Sequence, residues 1–263
     1  MTDFVDARDS VRTSEVHLVP IENLPADRLA AYPSLLDAGE AARHERFRVN
    51  SAREEFLVGR ALLRTRLSAL RPDIAPEDWR FALNAYGRPA IDWSAMATAP
   101  APLFFNLSHT RGLVALVVGG MEDIGVDVET IARGAPERDV ARRFFTEGEA
   151  DWIDAGTGEI DRTERFFALW TLKEAYIKAR GMGLSLPLDG FFFDCSLNPP
   201  SISFTGAIED EPSRWRFERR WIDDGHRLAL AVPAGSPPSR FFETEPLGAA
   251  PRAIAPNVAD AVL

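Results

Sequence analysis

The chain has 263 residues, of which 46% are hydrophobic and 27% are charged, and its formal net charge at pH 7 is -10. This composition predicts a globular protein of one large or two small domains, and the negative charge argues against binding to nucleic acid or to a membrane surface. The single cysteine, Cys195, excludes an internal disulfide and a cysteine-rich zinc site and is typical of a reducing compartment. No segment has the length of a membrane span and the N-terminus is no signal peptide, so we expect a cytoplasmic protein.

The first part of the chain predicts one strand followed by helices. Residues 1–13 are acidic and polar and are predicted to be disordered. Asn50 is the predicted N-cap of the longest helix, which Pro72 would terminate. The predicted elements are a strand over 15–19 and helices over 25–31, 35–48 and 50–70.

Short strands follow the long helix. Apolar runs predict strands over 79–83, 103–107, 113–118 and 124–129. The residues Ser108–Gly112 separate two of these strands and are predicted to be a loop, while Asn84–Pro89 has the composition of a turn.

The second half of the chain predicts helices and then strands again. Pro136 opens a helix predicted to end near Phe145, and Thr146 with Glu149 forms a capping box for the next helix. A long central helix follows. Strands are then predicted over 191–195, 202–205, 215–222 and 227–232, the last two as a hairpin.

The order of strand, helices and strands occurs twice, which predicts an α+β fold of two halves that meet near residue 122. No sequence repeat accompanies this order. The predicted organisation is a disordered N-terminus over 1–13, an N-terminal half over 14–122, a C-terminal half over 123–233, and a flexible or loosely docked Pro- and Ala-rich tail over 234–263.

The central helix carries the first group of candidate site residues. No Gly or Pro interrupts residues 163–179, and the glycine that follows would end the helix. Trp170, Glu174 and Lys178 recur every four residues and therefore share one stripe of this helix. Asp127 and Glu129 would face one side of the strand over 124–129. These three carboxylates could converge on one hard cation.

The charged residues of the helix and of the strand can also be explained by structure alone, without a functional site. Glu174 and Lys178 can form a solvated surface salt bridge. Asp127 and Glu129 can be the wet face of a half-buried strand. The residues alone leave both interpretations open.

A second group of polar residues follows an apolar run. Ser108 and His109 could donate hydrogen bonds to a phosphate, and Arg88 could do so with its forked guanidinium. Packed or solvated roles are the alternative for all three. The chain has no Ser elbow, no Cys–His pair, no His cluster with metal-ligand spacing and no P-loop, so carboxylates alone favour Mg²⁺, with Mn²⁺ as a substitute.

Taken in order, these motifs resemble those of the 4′-phosphopantetheinyl transferases of the Sfp type. The resemblance covers roughly residues 15–232 and rests on the segments Gly87–Pro89, Phe105–His109, Ile124–Glu129, Trp170–Lys178 and Gly181–Pro187. It implies a pseudo-dimer of two similar α+β subdomains with the active site in the cleft between them. Because one chain holds both halves, we expect a monomer.

The resemblance also implies a reaction. The enzyme would transfer the phosphopantetheine arm of coenzyme A to a serine of an acyl, peptidyl or aryl carrier protein, release 3′,5′-ADP and require Mg²⁺. The implied metal ligands are Asp127, Glu129 and Glu174, and the implied contacts to coenzyme A are Arg43, Arg88, Ser108, His109 and Lys178. Glu174, Lys178 and Asp127 are the catalytic group, with Glu174 as the general base, directly or through a metal-bound water.

Two other functions remain as alternatives from the residues, namely a noncatalytic module that binds coenzyme A or a nucleotide, and another magnesium-dependent phosphotransferase. The carrier protein would dock on a basic and apolar patch, for which the candidates are Arg142, Arg143, Phe144 and Phe145. An ordinary amphipathic helix end is the other interpretation of these four residues.

Overall fold

The computed structural model describes residues 13–255, so the disorder predicted before residue 13 lies outside the described residues. The chain has a mixed α+β fold, as predicted, and divides into two compact units. Of the described residues, the first unit contains 13–84, Pro89–Glu122 and 236–255, and the second contains Ala85–Arg88 and Asp123–Gly235. None of the described helices combines the length and apolar character needed to cross a membrane.

The first unit contains three helices and a five-stranded sheet, and the longest helix packs against that sheet. Its helices are α1 (Ala26–Ala31), α2 (Ala38–Arg46) and α3 (Asn50–Leu70). The strands are β1 (Glu15–Pro20), β2 (Phe81–Leu83), β3 (Pro89–Ile91), β4 (Phe104–Thr110), β5 (Leu113–Gly119), β11 (Arg240–Glu243) and β12 (Arg252–Ile254). The sheet order is β12-β11-β1-β5-β4, and a separate hairpin pairs β2 with β3.

The core of this unit follows from the apolar pattern of its longest elements. Every residue of β5 is buried, as expected for a continuous apolar run in the middle of a sheet. Helix α3 buries Leu63 and Leu67 against this sheet. The helix begins at Asn50, with Val49 in the N-cap position and no side-chain cap, so the predicted capping role of Asn50 is wrong. The helix predicted over 35–48 is shorter, because Asp37 caps it in a capping box with Glu40.

The segment Ser108–Gly112 is not a loop throughout. Ser108 pairs with Ala115 and His109 with Val114, so β4 continues through both residues to Thr110. Pairing with the buried strand β5 thus gives Ser108 and His109 a strand conformation, although the local composition predicts a loop.

The tail predicted to be flexible or loosely docked is instead part of the first unit's sheet, and that prediction is wrong for residues 240–254. Strand β11 lies parallel to β1, with Phe242 opposite His17, and β12 pairs antiparallel with β11. Phe241 is 4% exposed. Thr244 Oγ1 lies 2.9 Å from His17 Nδ1. These buried contacts outweigh the Pro- and Ala-rich composition around them.

The second unit contains three helices, a three-stranded antiparallel sheet and a separate hairpin, and the longest helix packs against the sheet. Its helices are α4 (Arg138–Ala141), α5 (Glu147–Asp154) and α6 (Glu159–Arg180). Its strands are β6 (Gly125–Thr130), β7 (Phe191–Asp194), β8 (Ser201–Phe204), β9 (Trp215–Asp223) and β10 (His226–Pro233). The sheet order is β6-β10-β9, and β7 pairs with β8 in the hairpin.

Most of the helices and strands predicted for this unit from local sequence patterns are confirmed. The predicted central helix is confirmed as α6, which ends at Gly181 in the left-handed conformation with φ 63°. The capping box of Thr146 and Glu149 and the hairpin of β9 and β10 are also confirmed. The helix predicted from Pro136 to near Phe145 is only one turn long, over Arg138–Ala141.

Candidate active site

The site in the second unit depends on a close approach between β6 and α6. A Cβ atom built on Gly125 would lie 2.1 Å from the carbonyl oxygen of Ala175, so only glycine allows this contact. Asp127 and Glu129 follow Gly125 at intervals of two and therefore face the same side. The missing side chain at Gly125 thus brings the carboxylates of β6 to the helix that carries Glu174 and Lys178.

Asp127 is a buried carboxylate with a cationic neighbour. Its side chain is 5% exposed, and its Oδ1 accepts a hydrogen bond of 2.6 Å from Lys178 Nζ. Because Val126 and Val128 on the other face of β6 are also buried, Asp127 does not lie on the wet face of a half-buried strand. Lys178 pairs with a buried acid, so a solvated surface salt bridge does not describe it either.

Glu174 is partly buried near two other acids. Burial raises its pKa to about 7, and the negative charges of Asp127 and Glu129 act in the same direction, while Lys178 opposes them. Asp127 and Glu129 on β6 and Glu174 on α6 are thus three acids with one lysine, Lys178, among them. Such an arrangement favours a proton or an added cation at the site.

Trp170 and Arg133, neither of which is a predicted metal ligand, hold Glu129. Its Oε1 accepts a hydrogen bond of 3.1 Å from Trp170 Nε1 and lies 3.0 Å from Arg133 Nη2. Burial raises the pKa of Glu129, as does the charge of Asp127, and these two partners reduce the effect. Trp170 was marked in the sequence by its four-residue spacing from Glu174 and by its place at the start of the segment Trp170–Lys178, whereas nothing in the sequence singled out Arg133.

Arg88 belongs to the second unit although it precedes most of it in the chain. Its Nη1 donates to the Ala179 carbonyl at 2.8 Å, and its Nη2 donates to the Ile124 carbonyl at 3.3 Å. These bonds tie the turn that carries Arg88 to the end of α6 and to the start of β6. The predicted phosphate contact of Arg88 stays a prediction.

The remaining candidates lie in the first unit. Ser108 is buried in β4, and the exposed His109 places its Nδ1 3.0 Å from Glu55 Oε2. Arg43, in the last turn of α2, places its guanidinium 5.1 Å from the ring centroid of Phe56. The structure thus assigns His109 an acidic neighbour that the sequence did not predict, and the coenzyme A contacts of these three residues stay predictions.

Comparisons with known proteins identify the family of this chain. A family model described as the 4′-phosphopantetheinyl transferase superfamily matches residues 123–231. The 4′-phosphopantetheinyl transferase Sfp of Bacillus subtilis (strain 168) is 31% identical over 201 residues, which are 76% of this chain and 84% of Sfp. The chain belongs to this superfamily.

Two further relatives, one bacterial and one human, are also similar to this chain. The 4′-phosphopantetheinyl transferase HetI of Nostoc sp. (strain PCC 7120 / SAG 25.82 / UTEX 2576) is 31% identical over 175 residues, 66% of this chain and 71% of HetI. The L-aminoadipate-semialdehyde dehydrogenase-phosphopantetheinyl transferase of Homo sapiens is 30% identical over 196 residues, 68% of this chain and 62% of that protein. The chain is a transferase of the Sfp type.

The acids of this transferase fit a hard divalent cation by their chemistry. Asp127, Glu129 and Glu174 offer only carboxylate oxygens, which Mg²⁺ prefers, and burial together with the charges of the other two acids raises the pKa of Glu174. Within residues 13–255, however, no three Asp, Glu, His or Cys side chains are already arranged to hold a metal ion. The set of metal ligands therefore stays a prediction.

The patch predicted for carrier docking is only partly exposed, since Arg142 and Arg143 are exposed, Phe144 is half-buried and Phe145 is buried. Phe145 is 4% exposed and packs edge-on against Phe166 at 5.5 Å between ring centroids. Arg142 Nη2 pairs with Asp151 at 2.9 Å and with Asp154 at 2.8 Å on α5. The one-turn helix α4 ends at Ala141, before these residues, so they do not form an amphipathic helix end, and carrier docking at the exposed Arg142 and Arg143 stays a prediction.

Proposed function

We propose that the transferase moves the 4′-phosphopantetheine arm of coenzyme A to a serine of an acyl, peptidyl or aryl carrier protein, with release of 3′,5′-ADP. The observation that supports this proposal is the grouping of Asp127, Glu174 and Lys178 on β6 and α6 within the segment that matches the family. An anion-binding module would gain nothing from buried carboxylates unless a cation were bound with them.

The reaction requires one bond to form and one to break at the β-phosphorus of coenzyme A. The serine oxygen of the carrier attacks this phosphorus, and the bond to the bridging oxygen breaks with its electron pair leaving on 3′,5′-ADP. Bound Mg²⁺ would supply positive charge for the pyrophosphate. Asp127, Glu129 and Glu174 are the residues that would hold the ion.

Two side chains of the protein would accept the serine proton and stabilise the negative charge of the phosphates. Lys178, already beside Asp127, would place its ammonium near the phosphates and stabilise their negative charge. Glu174 would take the serine proton, directly or through an intervening water. Because a carboxylate that binds Mg²⁺ has a low pKa, transfer of the proton through the water is the version that we favour.

We also propose that the two units are the two similar halves of the pseudo-dimer implied by the resemblance, with coenzyme A between them. In support, each unit packs a long helix, α3 or α6, against an antiparallel pair of strands. The proposed contacts to coenzyme A from the first unit are Arg43, Ser108 and His109. A single chain that holds both halves would act as a monomer, which light scattering on the purified protein would test.

Transfer to a carrier protein can be tested directly. The protein is incubated with fluorescent coenzyme A, Mg²⁺ and an apo carrier, and labelled carrier is detected in a denaturing gel. A carrier in which the acceptor serine is replaced by alanine is the matched control. Labelling that depends on Mg²⁺ and on the serine supports the proposal. A protein that binds coenzyme A but labels no carrier of the three classes would contradict it.

A further inference from the structure

Lys173, which immediately precedes Glu174, is a fully buried ammonium. Its side chain is 0% exposed, although lysine is rarely buried in proteins. Nζ donates to the carbonyl oxygens of Leu188 and Phe191, both at 2.7 Å, and lies 2.8 Å from Glu149 Oε2. An ammonium has three N–H donors, so these three acceptors satisfy it completely.

Glu149 connects this ammonium to two other elements. Its Oε2 accepts hydrogen bonds from the backbone N–H and the hydroxyl of Thr146, each at 3.0 Å, which completes the capping box of α5. Its Oε1 accepts a hydrogen bond of 3.0 Å from the backbone N–H of Phe193 in β7. The pair of Lys173 and Glu149 therefore joins α5, α6 and the segment that leads into β7.

The pair constrains α6 from a second side. Successive residues of a helix differ by about 100° around its axis, so Lys173 and Glu174 cannot face the same neighbour. Ala175 and Ala179 contact β6 at Gly125, while Lys173 reaches the segment 188–191 and α5. With contacts on two sides, α6 cannot rotate about its axis or slide along it without breaking one of them.

We propose that Lys173, together with Glu149, is a positioning residue that fixes the rotation of α6 and thereby directs Glu174 and Lys178 toward Asp127. Lys173 touches neither the acids of β6 nor the reacting groups, and it acts through its neighbour in the helix. The catalytic part of this inference rests on the proposed function.

The test uses a double variant, Lys173→Met with Glu149→Gln, in the full chain. Removing both charges together avoids leaving one of them buried without its partner. We expect a folded protein whose kcat for carrier labelling falls about ten- to a hundredfold, because small displacements of catalytic groups have effects of this size. The KM for the carrier should not change. The rise in Tm produced by Mg²⁺ alone should also become smaller than in the wild type.

Thr163→Val is the control on the same helix. The Thr163 hydroxyl is buried and accepts a hydrogen bond of 3.1 Å from the Ala135 N–H, so its loss lowers stability at the far end of α6. The control should keep both kcat and the Mg²⁺-induced rise in Tm. A folded double variant that keeps both quantities overturns the positioning role. If the double variant does not fold, Glu149→Gln alone is measured in the same way, since Lys173 then keeps its two carbonyl acceptors.

The two proposals fail in different ways. A wild-type protein that labels no carrier contradicts the proposed function, whereas the Mg²⁺-induced rise in Tm of wild type and variants still tests whether Lys173 positions the acids. A wild type that labels the carrier, with a double variant equal to it, contradicts only the positioning role.

Discussion

Glu174→Gln should stabilise the protein at neutral pH while abolishing transfer. Burial and the charge of Asp127 raise the pKa of Glu174 from 4.5 to about 7. In this pH range the folded chain keeps a proton that the unfolded chain has lost, so the free energy of unfolding decreases as the pH rises from 4.5 through 7. Glutamine has nearly the same size and carries no charge, so the variant avoids this loss.

The size of the effect follows from the pKa. At about 1.4 kcal/mol per pKa unit, the rise from 4.5 to about 7 corresponds to about 3 kcal/mol at pH 8. Because Glu174 is only partly buried, water screens part of this penalty, and we expect the variant to gain about 2 kcal/mol at pH 8. Near pH 4 the gain should vanish, since Glu174 is then protonated in the folded state and largely so in the unfolded state.

Urea denaturation between pH 4 and pH 8 measures the difference in the free energy of unfolding between Glu174→Gln and the wild type. A chelator is present in this series, and Mg²⁺ is added only in a second series. Glu164→Gln, on the same helix, is the control and should follow the wild type across the range. Mg²⁺ should then stabilise the wild type more than Glu174→Gln, because only the wild type offers the third carboxylate. The reasoning is refuted if Glu174→Gln is no more stable than the wild type at pH 8, or if its gain does not depend on pH.

Three further variants test other parts of the structure. Gly125→Ala would place a methyl group against the backbone of α6, so we expect a loss of about 3 kcal/mol or more in chemical denaturation and little remaining transfer; wild-type stability would contradict the close approach. Phe241→Ala should cost about 3 kcal/mol because the ring is buried in the sheet, whereas a loosely docked tail would give almost no change. Trp170→Phe keeps an aromatic ring but removes the N–H that holds Glu129, so the Mg²⁺ concentration for half-maximal transfer should rise several-fold; an unchanged value would remove Glu129 from the metal ligands.

Elements with strong local signals could be predicted from the sequence. The absence of Gly and Pro over 163–179 and the glycine after Arg180 are enough to define most of α6, because a left-handed residue is needed there to end the helix. The capping box at Thr146 is equally local, since both of its hydrogen bonds join residues three apart. Helix α2 has the same kind of signal in Asp37 and Glu40, which the sequence analysis missed.

Pairing between distant segments could not be predicted in the same way. Strand β11 joins β1 across more than 200 residues, as the 2.9 Å contact between His17 and Thr244, 227 positions apart, illustrates. Composition around β11 indicates only a tail, because the burial of Phe241 depends on a partner strand that no nearby residue specifies. The extension of β4 through His109 has the same cause, since β5 supplies the ladder.

The sequence could predict that Asp127, Glu129, Glu174 and Lys178 lie near one another, but not the contacts that they make. Alternation along β6 correctly places Asp127 and Glu129 toward one side. The sequence spacing suggested that Lys178 pairs with Glu174, four residues away, whereas its ammonium bonds Asp127 on β6. The reason is geometric: Gly125 brings the strand so close to α6 that a carboxylate from another element competes with the intrahelical partner.

The segment Trp170–Lys178 shows why a motif alone does not distinguish chemistry from structure. Lys173 and Lys178 have the same side chain and lie on the same helix, yet one is fully buried against Glu149 and the other bonds Asp127 at the candidate site. Nothing in the spacing of the two lysines separates these roles. The difference comes from which side of α6 meets β6, where Gly125 leaves room for the backbone of Ala175 and Ala179. A helix with about 100° between successive residues can thus carry its reactive groups on one side and the contacts that orient them on another.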